Sequence, residues 1–582
     1  MASVYFESAF IEYGNGPRIG VSLVRALVAA AGSWKGLYSY RGIGLARLTL
    51  SQKRAMSKTI AVILIALVIV VAAAGGYYYY ASQITPTQQK SRILRVGLTH
   101  LTISFDPAIG NEVTTYTVLH VVYDSLVTNK GGDTSTVVPD LAQSWQVSSD
   151  GTTWTFKLNP SAKFANGDPV TAQDVEYSFN RIFKVNKNPA AILGVALTAD
   201  STKAVDASTV QIKLAKPFGP LLSLLTVAFV VSAKEVKAHD TGDLGQTWLG
   251  EHSAGAGSGP YILDHWTRDV EFVLVKNTNY WGGIYQKPPA FDQIVFPNVK
   301  EPTTSELMLE KGDIDIALNL TPDVAANISP SSGVKTLDVT LQTIAFVGMN
   351  VKSAPFNDTR VRQAIMYGID RKGIINLLVK GKGVPAGPIP QGMTGFDTSQ
   401  VQTYDLEKAK SLLAQAGYSK GFTVSLISRP GAYVGVNWDD IAAKVQSDLA
   451  KLGITVNIES QAPATFLQNY RAGKFQMVLA SWSPDYPDGS NFAWTFMDNS
   501  GPVMVRTGYL NNQTTALVQA GFVAVDSNER AKLFQQAAAT NVVSGESAYL
   551  FQPQIVLGYR QNISGLTGNP VWLVDLLQTV KT

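Results

Sequence analysis

Between residues 405 and 458 the chain twice repeats one order: an amphipathic helical stripe, a glycine stop and a strand. Asp405 stands where an N-cap belongs, ahead of Leu406, Ala409, Leu412, Leu413 and Ala416 on one face, and Gly417 closes the run. Phe422–Ile427 then reads as a strand. Ile441, Val445, Leu449 and Leu452 form the second stripe, Gly453 stops it, and Ile454-Thr455-Val456-Asn457-Ile458 alternates as a half-buried strand does. Elements in this order can hide their apolar faces only by laying helices on a sheet. The reading is an α/β lobe over residues 350–545.

The same order disposes of an apparent catalytic motif. Gly417-Tyr418-Ser419-Lys420-Gly421 matches the G-x-S-x-G pattern, but a nucleophile elbow needs its strand before the serine and its helix after. Here the helix comes first, so Gly417 is a C-cap and Gly421 a turn residue. There is no cysteine, which excludes thiol nucleophiles, disulfides and thiolate metal sites. His100, His120, His239, His252 and His265 show no metal-ligand spacing, and no G-x-x-x-x-G-K-[ST] loop occurs, so any ATP hydrolysis belongs to another subunit. The chain reads as a non-enzyme without a cofactor.

At 582 residues, more than one core is expected. The formal net charge of +4 misleads, because nine of the 48 Lys and Arg but only two of the 44 Asp and Glu lie in residues 1–90. The remainder is slightly acidic and has no bulk field to recruit nucleic acid. From Thr59 to Gln89 no residue is charged, Ile60–Gly76 is wholly apolar, and Tyr77–Tyr80 follow as an interfacial cluster. That run is just long enough to cross a bilayer core of roughly 30 Å. Lys53, Arg54 and Lys58 before it place the N-terminus inside and everything beyond residue 81 outside. Residues 56–81 are therefore read as a transmembrane anchor or signal. The polar Ser82–Gln89 spacer with its Thr-Pro-Thr favours a retained anchor, with 82–91 as tether. Residues 1–55 read as an extension from a start codon placed ahead of Met56.

In the first lobe Ile93–Leu98 reads as a strand and Tyr116–Leu126 as a helix. Asp150-Gly151 joins two alternating segments into a hairpin, with Trp154, Phe156 and Leu158 on one face. Thr171-Ala172-Gln173-Asp174 is a capping box for a helix with Val175, Phe179 and Ile182.

The run Ser481-Trp482-Ser483-Pro484-Asp485-Tyr486-Pro487-Asp488-Gly489-Ser490-Asn491-Phe492 follows a short apolar segment and cannot be a central strand or mid-helix, because its prolines fix φ and remove donors. A shaped loop holding Asp485 between aromatic walls could keep a cationic group out of water, where the pairing is worth more than on an open surface.

Residues 139–181 resemble the signature region of the family 5 extracellular solute-binding proteins, the oligopeptide and dipeptide receptors of ABC importers. Further blocks resemble that family in the same order. They are Gly257-Ser258-Gly259-Pro260-Tyr261, Asn277-Thr278-Asn279-Tyr280-Trp281, Lys311-Gly312-Asp313-Ile314-Asp315, Pro355-Phe356-Asn357-Asp358-Thr359-Arg360-Val361-Arg362, Ile369-Asp370-Arg371 and the 481–492 run. Pro484 departs from the pattern, standing where the family commonly has a small residue.

The resemblance implies a periplasmic-binding-protein-like type II fold, of the membrane-anchored kind met in archaea. Lobe I would comprise 92–135, 251–345 and 546–582, with 136–250 inserted as a subdomain. Lobe II would be 346–545, and crossovers would lie near Gln342–Asn350 and Gln552–Gly558. It also implies a peptide ligand enclosed between the lobes, an ABC permease with separate ATPase subunits as partner, and the folded part outside the cell. An oligosaccharide is the alternative ligand. By the same resemblance Asp485 matches the aspartate that pairs with a peptide's α-ammonium, with Trp482 and Tyr486 as flanking walls. Arg429 and Tyr433, on the loop after a strand end, complete the candidate ligand-binding set.

Overall fold

The computed structural model describes residues 66–67, 69–76, 92–99, 101–433 and 436–582, the side chains of Asn319, Ala432 and Tyr433 excepted. Residues 1–55, the tether and part of the apolar run lie outside them. Within that run residues 66–67 and 69–76 are helical, with Leu67, Ile69, Val70 and Val71 exposed. Among the described residues no helix is long and apolar enough to cross a membrane.

Residues 90–582 form one compact unit organised by a twelve-stranded sheet. Its order runs from Thr455–Ser460 through Thr423–Ser428, Met477–Trp482 and Ile344–Met349 to the long strand Ser547–Arg560. It continues through Ile316–Leu320, Ile93–Gly97, Gln293–Pro297 and Glu271–Lys276 to Tyr261–Thr267. The long strand belongs to both lobes. Its first residues pair antiparallel with Ile344–Met349 (Ala345 opposite Phe551), and its later ones with Val334–Thr340 (Thr340 opposite Gln554).

The cores divide at the same place. Leu341 and Ile555 belong to the apolar cluster of the first lobe, whereas Ile344 and Phe551 belong to clusters of the second. The crossings therefore occupy Leu341–Thr343 and Gln552–Pro553, and the ranges expected from sequence begin at these residues but run on into strands inside the lobes. Gln552 is fully buried at the crossing. Its Nε2 donates to the Leu341 carbonyl (3.0 Å), and its Oε1 accepts from the Gln391 N–H (2.8 Å). An unpaired amide there would be costly, so both ends are used.

The α/β grammar of the second lobe is seen in full. Asp405 caps Leu406–Gln415 by accepting from the Lys408 N–H (2.9 Å), and the next helix spans Trp438–Ala450. The strands Thr423–Ser428 and Thr455–Ser460 pair in parallel, register Leu426 to Ile458. Gly421 has φ +74°, and a Cβ there would meet the Gly453 carbonyl oxygen at 1.9 Å, so the two glycines let adjacent turns touch backbone to backbone. Ser419 lies in the helix-to-strand turn, not on an elbow.

In the first lobe the Asp150-Gly151 hairpin joins Ala142–Val147 to Thr153–Leu158, and Thr209–Lys213 and Thr202–Asp206 complete a separate four-stranded sheet. Asp174 accepts from the Thr171 N–H (3.0 Å) and hydroxyl (2.6 Å), closing the box that starts the helix Ala172–Val185. The helix expected over Tyr116–Leu126 is instead Val113–Val122. Tyr123 turns extended (φ −127°, ψ 153°), and the chain passes into the strand Val127–Lys130.

Candidate ligand-binding site

The strands Thr423–Ser428 and Met477–Trp482 run parallel as neighbours, Leu426 opposite Met477, so the loops that follow them leave the same end of the sheet. Open α/β sheets collect ligands at such strand ends. One loop starts with Arg429, the other carries Asp485.

The Asp485 loop is held at three points. Trp482 ends its strand opposite Ile344, the Ser483 hydroxyl lies 2.8 Å from the Thr343 hydroxyl in the crossover, and Asp488 caps the helix Gly489–Met497 by accepting from the Ser490 N–H (2.8 Å). The other oxygen of Asp488 faces the buried Arg530 guanidinium at 3.5 Å. Asp485 has a different setting. Its Oδ2 accepts only from a neutral amide, Asn491 Nδ2, at 3.1 Å, and the same Asn491 accepts from Trp482 Nε1 at 2.9 Å. Among the described residues no basic side chain pairs with Asp485. Burial pushes its carboxyl above the usual carboxylate range, against the Asn491 hydrogen bond, which lowers it.

The first lobe faces this carboxylate with the helix Val113–Val122. Tyr116 on that helix is buried, and its phenol is pushed up by burial first, then by the charges of Asp485 and Glu112. The lobes thus meet around Asp485. A half-buried acid without a basic partner among the described residues is chemically able to take up a positive group.

The other predicted residues divide. Trp482 is half-buried against the second lobe's core, with the Arg506 guanidinium 5.9 Å from its ring, and Asn491 joins it to Asp485. Tyr486 is 2 % exposed and packs in the core of the first lobe, its hydroxyl 3.1 Å from that of Ser490, so the loop plants it across the inter-lobe boundary. Arg429 is half-buried, its guanidinium 5.8 Å from the Trp438 ring centre. The backbone of Tyr433 pairs with Val436 in a two-residue hairpin, and its side chain lies outside the described residues.

Three participants escape sequence reasoning. Asn491 lies in the loop's own stretch, and its two-sided amide could have been suspected from its place on the first turn after Asp488. Tyr116 and Gln342 had no local signal, since only the fold brings them in. Gln342 Nε2 donates to Thr134 Oγ1 (2.7 Å) and to the Gly392 carbonyl (3.2 Å), tying first lobe to second, while its buried Oε1 has no partner. It lines a cavity of about 520 Å³ between the lobes, with Thr134, Ser135, Gln391, Met393 and Phe396. That volume is in the range of small-molecule sites. Asp485 is not in its lining.

Among the described residues no group of three or more His, Cys, Asp or Glu side chains is placed to hold a metal ion together. His120 is buried against Trp572, and His239 stacks on Trp248 at 4.0 Å, apart from the site.

Comparison with known proteins gives the same architecture a family. The model described as "Bacterial extracellular solute-binding proteins, family 5 Middle" matches residues 136–502. "Probable D,D-dipeptide-binding periplasmic protein DdpA" of Escherichia coli is 32% identical over 482 residues, covering 80% of this chain and 90% of that one. "Di/tripeptide-binding protein 2" of Pseudomonas aeruginosa is 27% identical over 494 residues, covering 80% and 91%. The structure of HbpA2 from Haemophilus parasuis superposes with a TM-score of 0.75 at 24% identity, covering 84% of this chain and all of that one, a likeness of fold. Two lobes on a shared sheet with hinge crossovers are thus the type II periplasmic-binding-protein architecture, and the chain belongs to family 5 of the extracellular solute-binding proteins.

Proposed function

We propose that this protein is the receptor of an ABC-type importer that captures short peptides between its lobes and delivers them to a membrane permease, whose ATPase is a separate subunit. The observation that carries the reading is Asp485. It is a half-buried carboxylate at the inter-lobe boundary, oriented by Asn491 and without a basic partner among the described residues. Every peptide offers one α-ammonium whatever its side chains, so a fixed carboxylate grips the class rather than a sequence. Peptide-binding relatives such as the Escherichia coli protein support the choice of ligand. In this reading Trp482 walls the anchor, and Arg429 and Tyr433, on the neighbouring loop, are assigned to reading the far end of a short ligand. The apolar run at residues 60–80 would hold the receptor at the outer face of the membrane. Fractionation of cells should find the chain in the membrane and release it when that run is deleted.

Calorimetry with di- and tripeptides tests the ligand. Asp485→Asn should weaken binding by about 100-fold, and N-acetylation of the peptide should weaken wild-type binding comparably. A ligand whose affinity is indifferent to Asp485→Asn but collapses in Trp482→Ala would mark a sugar receptor and sink the peptide reading.

A further inference from the structure

A second cavity, of about 30 Å³, lies within the first lobe at the C-terminal end of the helix Val113–Val122, lined on another side by residues of Trp572–Leu577. Three carboxylates line it, Asp124, Asp140 and Asp575, none more than 9 % exposed. Asp575 is satisfied, accepting from the Tyr285 hydroxyl (2.8 Å) and the Leu577 N–H (2.8 Å). Asp124 accepts from Trp281 Nε1 (3.1 Å) and Asp140 from the Ser125 N–H (3.1 Å), and neither belongs to any ion pair among the described residues. Among the described residues no Lys or Arg lines the cavity. His120 does, but burial holds its imidazole down to about 3, so it brings no positive charge. The C-terminal end of the helix adds further negative potential. Two buried acids without a cation are a large unpaid cost.

An independent feature points to the occupant. Asn129, a residue of the cavity lining, has its Oδ1 buried without a hydrogen-bond partner among the described residues. Asn129 Nδ2 donates to the Thr136 carbonyl (2.9 Å), which fixes the amide and leaves its oxygen as the unpartnered end. A proton shared by the two acids would relieve their repulsion but leave that oxygen unsatisfied. One ion would serve all of these groups, and a space of about one water's size admits one without its hydration shell.

We infer that this cavity is a site for a single hard cation bound by the oxygens of Asp124, Asp140 and Asn129, for which calcium is the probe. The donors are two carboxylates and neutral oxygens rather than three acids, the set of a modest extracellular calcium site on the order of 10⁻⁴–10⁻³ M.

The test uses the full chain after chelator treatment. Added CaCl₂ should raise Tm by about 2 °C or more. Tb³⁺ should luminesce on tryptophan excitation, because Trp281 touches Asp124, and Ca²⁺ should compete it away. Both responses should vanish in Asp124→Asn/Asp140→Asn and weaken in Asn129→Leu, a variant that keeps the charges. Absence of both responses in the wild type overturns the proposal without recourse to any variant. So does a selective response to Zn²⁺ or Ni²⁺ through His120, or a double variant that responds as the wild type does.

Discussion

Glu546 is fully buried in the second lobe, with the Ser547 hydroxyl 3.3 Å and Asn541 Nδ2 3.5 Å from its oxygens. Nearby Arg362 spends its donors on the carbonyls of Phe356, Ser544 and Gly545 instead. Burial therefore prevails, and the carboxyl is pushed up from 4.5 to about 7. The folded chain then holds this proton more tightly than the unfolded chain does. Stability from this group is present in full below pH 4.5 and is lost as pH rises to about 7, by about 3 kcal/mol. Glu546→Gln should be more stable than wild type at pH 8 and indistinguishable near pH 4, measured by urea denaturation. Equal pH slopes in the two proteins would refute the assignment. Asp485 and Asp488 make the complementary point. Three positions apart, one caps a helix and meets Arg530, while the other waits beside an amide.

Among elements, the helix Ala172–Val185 is fixed to the first lobe by one buried bidentate pair, Arg181 Nη1 and Nη2 to Asp106 Oδ1 and Oδ2 at 2.8 and 2.6 Å. Arg181 Nε also donates to the Leu244 carbonyl (2.7 Å). Arg181→Met would strand Asp106 as a buried charge and should cost about 3–5 kcal/mol, with much of this recovered in Arg181→Met/Asp106→Leu. Thermal unfolding of the two variants checks it. Helix starts and stops such as Asp405, Thr171–Asp174 and Gly453 were legible because capping is chemistry between near neighbours in sequence. The end of Val113–Val122 was not, since Tyr123 to Leu126 holds no proline or glycine to stop a helix and leaves it only to meet partners far along the chain. The same limit applies to the site. Asp485 and Trp482 were visible within one stretch, whereas Tyr116 and Gln342 reach it only through the tertiary fold.

For the whole molecule, opening and closing must pass through Leu341–Thr343 and Gln552–Pro553. Gln342 and Gln552 wire these crossings to both lobes. Gln552→Leu would leave the Leu341 carbonyl and the Gln391 N–H unpaired, at about 1–3 kcal/mol each. It should shift peptide affinity without touching Asp485, and small-angle scattering should show a changed size difference between free and peptide-bound protein. Unaltered affinity and scattering would place the hinge elsewhere. The long strand Ser547–Arg560 also decides how this protein can be dissected. Residues 346–545 look on paper like an excisable domain. Yet Ile344–Met349, the inner strand that straddles their start, takes one neighbour from Met477–Trp482 and the other from residues after 546. A fragment cut at those boundaries would present a bare row of amides and carbonyls on a wholly apolar edge and should aggregate. Supplying Ser547–Arg560 as a separate peptide should rescue its solubility.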